Sequence, residues 1–294
     1  DKGLIQEVEA FRSRYPVAEE EKNRVSQPDM PFYGREVLEM GIAAVLQGEN
    51  LLLTGAKATG KNILAENLAW IFRRPVYNVS LHVNTNSGDL IGTDTFVDNQ
   101  VQLRKGSIYR CAQYGGFGIL DEINMAKNDA VSVLHAALDY RRCIDVPGYD
   151  RIDMHEAARF IATMNYGYAG TKELNEALVS RFLVIDMPAQ DEETLEFILK
   201  RKFPRIKDNA LKQWIGLFMD LQLKAYNSEI TTKALDLRGV IGALKTMEKG
   251  LKPALAVKMG VVNKCFDIFE KEIVQDVVMT RIPESWTAGD VFEG

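Results

Sequence analysis

Apolar runs at 50–54, 75–80, 117–121, 158–163 and 183–187 punctuate the chain, and segments with helical spacing lie between them. Runs this short, apolar at consecutive positions, predict strands buried on both faces. Their alternation with helices therefore predicts a parallel sheet covered on either side. Residues 1–15 predict an amphipathic helix, Glu36 to Gln47 a second and Ile63 to Phe72 a third, whereas Glu19-Glu20-Glu21-Lys22 with Pro28 and Pro31 predicts an exposed linker. Two segments interrupt the alternation. Thr95-Phe96-Val97 and Val101-Gln102-Leu103 flank Asp98-Asn99-Gln100 and predict a small hairpin. Arg142 to Val146 and Arg151 to Met154 flank Pro147-Gly148-Tyr149-Asp150 and predict another. After Pro188 the pattern is helical, with helices expected at 191–202, about 208–226, 236–248 and 254–275, so a domain boundary is expected near residue 189.

Composition narrows the class. The 294 residues are enough for one large or two modest domains, and 46% hydrophobic with 26% charged content is ordinary for a globular protein. A net charge of −5 offers no general attraction to nucleic acid or to an anionic membrane, although Arg104-Lys105 and Lys200-Arg201-Lys202 are local basic runs. Cys111, Cys143 and Cys265 are odd in number and far apart, which favours free thiols in a reducing compartment. No apolar run approaches a membrane span and no signal-peptide core opens the chain, so a cytoplasmic protein without membrane partners is expected. His82, His135 and His155 share no metal-ligand spacing and are expected to be structural.

The chemistry concentrates in two places. Gly55-Ala56-Lys57-Ala58-Thr59-Gly60-Lys61-Asn62 follows the run Leu51-Leu52-Leu53 and precedes a helix. That is the strand–loop–helix setting in which loop amides and a helix N-terminus offer N–H donors to phosphate, with Lys61 adding a mobile positive charge. About sixty residues on, Phe117-Gly118-Ile119-Leu120-Asp121-Glu122 is a strand ending in two carboxylates, one to hold Mg²⁺ and one to polarise an attacking water. Alone, the first could be a glycine-rich turn and the second an ordinary acidic strand end. In this order and at this spacing they predict nucleoside triphosphate hydrolysis.

The ordered motifs resemble the MoxR-like branch of the AAA+ ATPases. Leu120-Asp121-Glu122-Ile123-Asn124, followed by an expected helix from Lys127 to Leu138, is similar to that family's extended Walker B segment. Ile161-Ala162-Thr163-Met164-Asn165 resembles its sensor 1 strand, Leu178-Val179-Ser180-Arg181-Phe182 its arginine-finger segment, and Leu235-Asp236-Leu237-Arg238 the position of its sensor 2 arginine. The two hairpins resemble the helix 2 insert and the pre-sensor 1 hairpin. The resemblance spans roughly residues 32–285. It implies an α/β P-loop AAA+ core with a parallel sheet followed by an all-helical lid: an N-terminal helix and linker at 1–31, the nucleotide-binding domain at 32–189 and the lid at 190–294. It implies ATP and Mg²⁺ as ligands, with residues 55–62 cradling the nucleotide and Asn62 and Asp121 facing the metal. Lys61, Glu122, Asn165, Arg181 and Arg238 would carry the chemistry, Arg181 across a subunit boundary, and Asn78 is a further candidate to restrain Glu122. The resemblance also implies a homo-hexameric ring acting on a protein client, with a von Willebrand A-type partner.

Two departures stand out. Asn62 replaces a Ser or Thr, which bears on metal affinity and turnover, and Ala58 replaces a glycine, which requires that position to avoid positive φ. ATP is preferred over GTP because Ala126-Lys127-Asn128-Asp129 fails as a guanine-reading motif and Asn165 is followed by Tyr166-Gly167-Tyr168-Ala169-Gly170, without an early acidic residue. Two rivals remain: a nucleic-acid motor of the same ring-ATPase clade, disfavoured by the acidic charge, and a weakly hydrolysing, nucleotide-gated interaction protein, suggested by Asn62.

Overall fold

The computed structural model describes residues 2–146, 148–166 and 174–293. Pro147 of the second turn and Gly167 to Gly170 lie outside the described residues. The chain divides into two compact units, Asp1–Ala56 with Gly60–Pro188, and Lys57–Thr59 with Ala189–Gly294.

In the first unit, helices α1 (Lys2–Arg14) and α2 (Arg35–Leu46) lead into β1 (Leu51–Gly55), α3 (Lys61–Ile71) and β2 (Val76–Ser80). A short helix α4 (Ser87–Ile91) precedes the hairpin β3 (Gly92–Val97) and β4 (Gln100–Lys105), then come α5 (Ser107–Tyr114) and β5 (Phe117–Asp121). Two helical turns α6 (Asn128–Val131) and α7 (His135–Leu138) precede the second hairpin, β6 (Cys143–Ile144) and β7 (Ile152–Asp153), and β8 (Arg159–Asn165), α8 (Glu176–Val179) and β9 (Leu183–Asp186) close the unit. Strands β1, β2, β5, β8 and β9 pair in the order β2-β5-β8-β1-β9, all parallel, as the sequence pattern predicts.

Strand alternation builds a core on each face. Leu51 and Leu53 of β1 join Phe117, Ile119, Ile161 and Ile185 on one side, and Leu52 joins Leu120, Phe160 and Ala162 on the other. Helix α1 belongs to the first of these cores: Val8 and Phe11 are buried in it, and the Phe11 ring meets Phe72 edge-on at 5.0 Å.

The segment expected to be an exposed linker is instead anchored. Glu21 is 0% exposed; it accepts from the Tyr77 hydroxyl at 2.6 Å and pairs with Arg110 and, at 3.3 Å, with Arg24. Its acidic neighbours are typical of a solvated run, and only the fold brings Tyr77 of β2 and Arg110 of α5 to it. The helix expected from Lys127 to Leu138 is also interrupted, by a 3-10 turn at Ser132–Leu134. Ser132 contributes to this by donating its hydroxyl to the Asp129 carbonyl at 2.7 Å, a side-chain bond that competes with the helical ladder.

The second unit is helical: α9 (Glu192–Lys202), α10 (Asp208–Tyr226), α11 (Leu237–Met247), α12 (Pro253–Gly260), α13 (Ile268–Arg281) and α14 (Ala288–Val291). Trp214, Leu217, Phe218, Leu221, Leu244 and Met247 are among its buried residues. A single helix at 254–275 is not what forms, because the chain breaks between Gly260 and Ile268. Asp267 takes extended backbone there and caps α13 by accepting from the Glu270 N–H at 2.9 Å. Glu270 is buried and accepts from the Thr231 N–H at 2.7 Å, so the new helix is tied to a distant loop. Among the described residues no helix is long and apolar enough to cross a membrane.

Candidate active site

The phosphate loop begins where β1 ends. Gly60 adopts the left-handed conformation at φ 87°, ψ 18°, and α3 starts at the next residue. The first N–H groups of any helix have no partner within it, and the partial positive charge they carry favours an anion at this turn. Ala58 is also left-handed, at φ 66°. This corrects the expectation that an alanine here must avoid positive φ: the loop takes the shape a glycine would favour and carries a steric cost of about 1 kcal/mol.

Lys61 is 7% exposed and donates to two loop carbonyls, Gly55 O at 3.0 Å and Ala56 O at 2.7 Å. Burial lowers its pKa to about 8, against the attraction of Asp121, Asp186 and Glu122. The amine is thus surrounded by carboxylates and carbonyl oxygens and held inside the loop it would have to serve.

Parallel pairing sets the acidic residues beside the expected sensor. β5 lies against β8 with Leu120 opposite Ala162, so Glu122, just past the end of β5, comes beside Asn165 at the end of β8. Asn165 Nδ2 donates to Glu122 Oε1 at 3.3 Å, and Asn124 Nδ2 donates to the Asn165 carbonyl, also at 3.3 Å. Glu122 has left-handed backbone, φ 55° and ψ 48°, uncommon for a residue other than glycine. Asp121 Oδ1 accepts from the Thr163 hydroxyl at 2.6 Å, and the same hydroxyl accepts from the Glu122 N–H at 3.1 Å.

The structure therefore gathers Lys61, Asp121, Glu122 and Asn165 around the ends of β1, β5 and β8. Arg181 stands apart from them. Among the described residues its contacts are its own helical turn, where it donates to Ala177 O, and Asp139, 3.6 Å away. Asp139 is pushed down to about 2, first by its hydrogen bonds from Arg141, with Arg181 contributing. Arg238, in the second unit, is exposed on the first turn of α11, where its N–H donates to the capping Asp236 at 3.0 Å. Asn78 is exposed in β2, at the level of Ile119 in β5.

Two residues were not singled out from the sequence. Thr163 is one, although its place two positions before Asn165 puts both on the same face of β8. Asp186 is the other: at the end of β9 it accepts from Tyr166 Oη at 2.7 Å and from Thr54 Oγ1 at 3.1 Å, adding a third carboxylate near Lys61. No local motif marks it.

Comparison with known proteins bears on the family and the fold. A sequence model of the AAA domain (dynein-related subfamily) matches residues 50–182, from the start of β1 past Arg181. The chain is 30% identical over 271 residues to the uncharacterised protein YojN of Bacillus subtilis, covering 90% of this chain and 88% of that one. It is 30% identical over 254 residues to an uncharacterised protein of Staphylococcus epidermidis, covering 84% and 94% respectively. Among solved structures, the RuvB P216G mutant of Thermotoga maritima aligns with a TM-score of 0.51 at 19% identity, over 85% of this chain and 71% of that one. At that identity the likeness bears on the fold alone.

Proposed function

The chain belongs to one family with its Bacillus and Staphylococcus relatives and carries a match to the AAA domain (dynein-related subfamily) over residues 50–182, and on that premise we propose that it is an ATP-hydrolysing chaperone of the MoxR-like type, acting as a ring that remodels or activates a partner protein. The observation that carries the reading is the contact between Asn165 and Glu122 at the strand ends next to the buried Lys61. A carboxylate and an amide side by side are what a water attacking a terminal phosphate would need, and that supports the reading.

Each residue has a task in this reading. Residues 55–62 and the start of α3 donate N–H groups to the phosphates, and Lys61 transfers its hydrogen bonds from the loop carbonyls to the terminal phosphates. Glu122 accepts the proton of the attacking water, and Asn165 orients that water and the carboxylate. ATP and water then give ADP and phosphate. The oxygen donors of Asp121 and Asn62 match the preference of Mg²⁺ for hard ligands, and these two residues would hold it. Bound there, the ion would neutralise charge on the phosphates.

Arg181 would complete the site of a neighbouring subunit, where such an arginine is worth roughly 10³–10⁵ in rate. A finger that acts only in trans needs a head-to-tail interface, and closure of such interfaces makes a ring. Six subunits and a von Willebrand A-type partner follow from the resemblance to MoxR-like proteins. The test is the ATPase rate per subunit over a dilution series, with assembly followed by sizing. It should rise as the protein assembles and fall in Arg181→Ala without loss of ATP binding. A rate that stays constant while sizing shows dissociation removes the finger in trans. Absence of turnover at all concentrations favours the nucleotide-gated interaction protein that Asn62 suggests.

A further inference from the structure

Thr163 is 1% exposed, and its hydroxyl is used in both directions. It donates to Asp121 Oδ1 at 2.6 Å and accepts from the Glu122 N–H at 3.1 Å. A single side chain on β8 thus grips the carboxylate of one acidic residue and the peptide of the other, while Asn165, two residues along the same strand, grips the Glu122 carboxylate. The peptide held in this way is the one entering the left-handed Glu122.

We infer that Thr163 is the positioning residue of the acidic pair. Its donated hydrogen bond commits Oδ1 of Asp121 to the protein and presents Oδ2 to a cation. Its accepted bond fixes the left-handed turn from which Glu122 reaches Asn165. The physical argument is one of satisfaction. A buried hydroxyl has one proton and two lone pairs, and here the proton goes to a charged acceptor while a lone pair takes a strained amide. A valine of the same shape offers neither. With two charged residues and no hydroxyl between them, the Asp121 side chain would be free to rotate and the Glu122 peptide to leave the left-handed region. The inference rests on the proposed nucleotide site and assigns a task within it that neither Lys61 nor Asn62 performs.

The experiment compares wild type, Thr163→Val and Thr163→Ser. Mn²⁺ binding to the ADP complex is titrated by electron paramagnetic resonance, hydrogen exchange is measured at the Glu122 amide in the ligand-free protein, and kcat and KM for ATP are determined. Loss of a group that orients a metal ligand typically costs about 10–100-fold in metal affinity or activity. Thr163→Val should therefore weaken Mn²⁺ by about tenfold or more, speed exchange at Glu122 by at least about tenfold, and lower kcat with KM for ATP nearly unchanged. Thr163→Ser should restore all three. Wild-type behaviour of Thr163→Val in both Mn²⁺ affinity and Glu122 exchange overturns the inference. Should Thr163→Val fail to fold, exchange in the wild type still decides: a protected Glu122 amide supports the bond, and one exchanging like an exposed loop overturns it. A wild type that binds Mn²⁺ and ADP but hydrolyses no ATP removes the ATPase reading and leaves the positioning role standing. Normal hydrolysis in wild type and Thr163→Val alike removes the positioning role and leaves the ATPase.

Discussion

Replacing Lys61 with methionine tests the electrostatics of the loop and its function together. The amine is 7% exposed, and burial holds its pKa at about 8 rather than 10.5 in spite of Asp121, Asp186 and Glu122 nearby. At about 1.4 kcal/mol per pH unit, that lowering makes the charged form about 3 kcal/mol harder to hold in the fold than in the unfolded chain. The native state therefore releases its proton first. Between about pH 8 and pH 10.5 the unfolded chain binds more protons than the native one, so this group makes the protein more stable as pH rises through that window. Methionine has similar length and no proton to lose, so the difference between the two stability curves isolates Lys61 from every other group that titrates there. Measured by urea unfolding without nucleotide, wild type should gain about 2 kcal/mol relative to Lys61→Met between about pH 7 and pH 9.5. Parallel pH profiles would refute the buried charge. A second arm adds ATP. At about 100 times its dissociation constant, a ligand bound only by the native state stabilises it by about 3 kcal/mol, and the variant should lose that stabilisation. Retention of it would show that the loop is not the nucleotide site.

Three further outcomes are expected. Glu122→Gln should bind ATP as wild type does and lose at least about 10²-fold in turnover, because the amide cannot accept the water's proton; full activity in a phosphate-release assay would remove Glu122 from the mechanism. Ala58→Gly should change unfolding free energy by less than about 1 kcal/mol, since relief of the left-handed strain is offset by the greater freedom of glycine in the unfolded chain, whereas the branched Ala58→Val should cost at least about 1 kcal/mol. An Ala58→Val protein as stable as wild type by urea titration would mean that the loop does not hold positive φ there. Glu21→Ala leaves the buried Tyr77 hydroxyl without its acceptor and the partly exposed Arg110 without its ion pair and should cost about 1–3 kcal/mol, with ATP affinity by calorimetry unchanged in the folded fraction; a loss well below about 1 kcal/mol would show that the N-terminal segment is not anchored through this carboxylate.

The sheet was legible in the sequence because its strands are apolar at consecutive positions, a local pattern that survives in any context where both faces are covered. The strand–turn–helix setting of residues 55–62 and the strand end at Asp121-Glu122 were legible for a similar reason, because each is a run of particular residue types within a few positions; the phosphate and metal chemistry assigned to them is the proposal. The break between α12 and α13 was less so. Its cap, Asp267, lies in a stretch whose spacing reads as continuous helix, and the buried Glu270 finds Thr231 only through the packing of the second unit. Residues far apart in sequence meet only when the strands are in register. Glu21 reads as part of a solvated acidic run until β2 and α5 deliver Tyr77 and Arg110, and burial then turns an exposed charge into an anchor. Thr163 reads as one more residue of an apolar strand until β8 settles against β5, 42 positions from the carboxylate it holds. The lowered pKa of Lys61 has the same origin, since no motif encodes how much water the surrounding chain removes. Local pattern thus determined the parallel sheet and most of the helices, and the stretch on which the proposed phosphate chemistry rests. Parallel pairing and burial decided which side chains meet at the strand ends, and lowered the pKa of Lys61 among them.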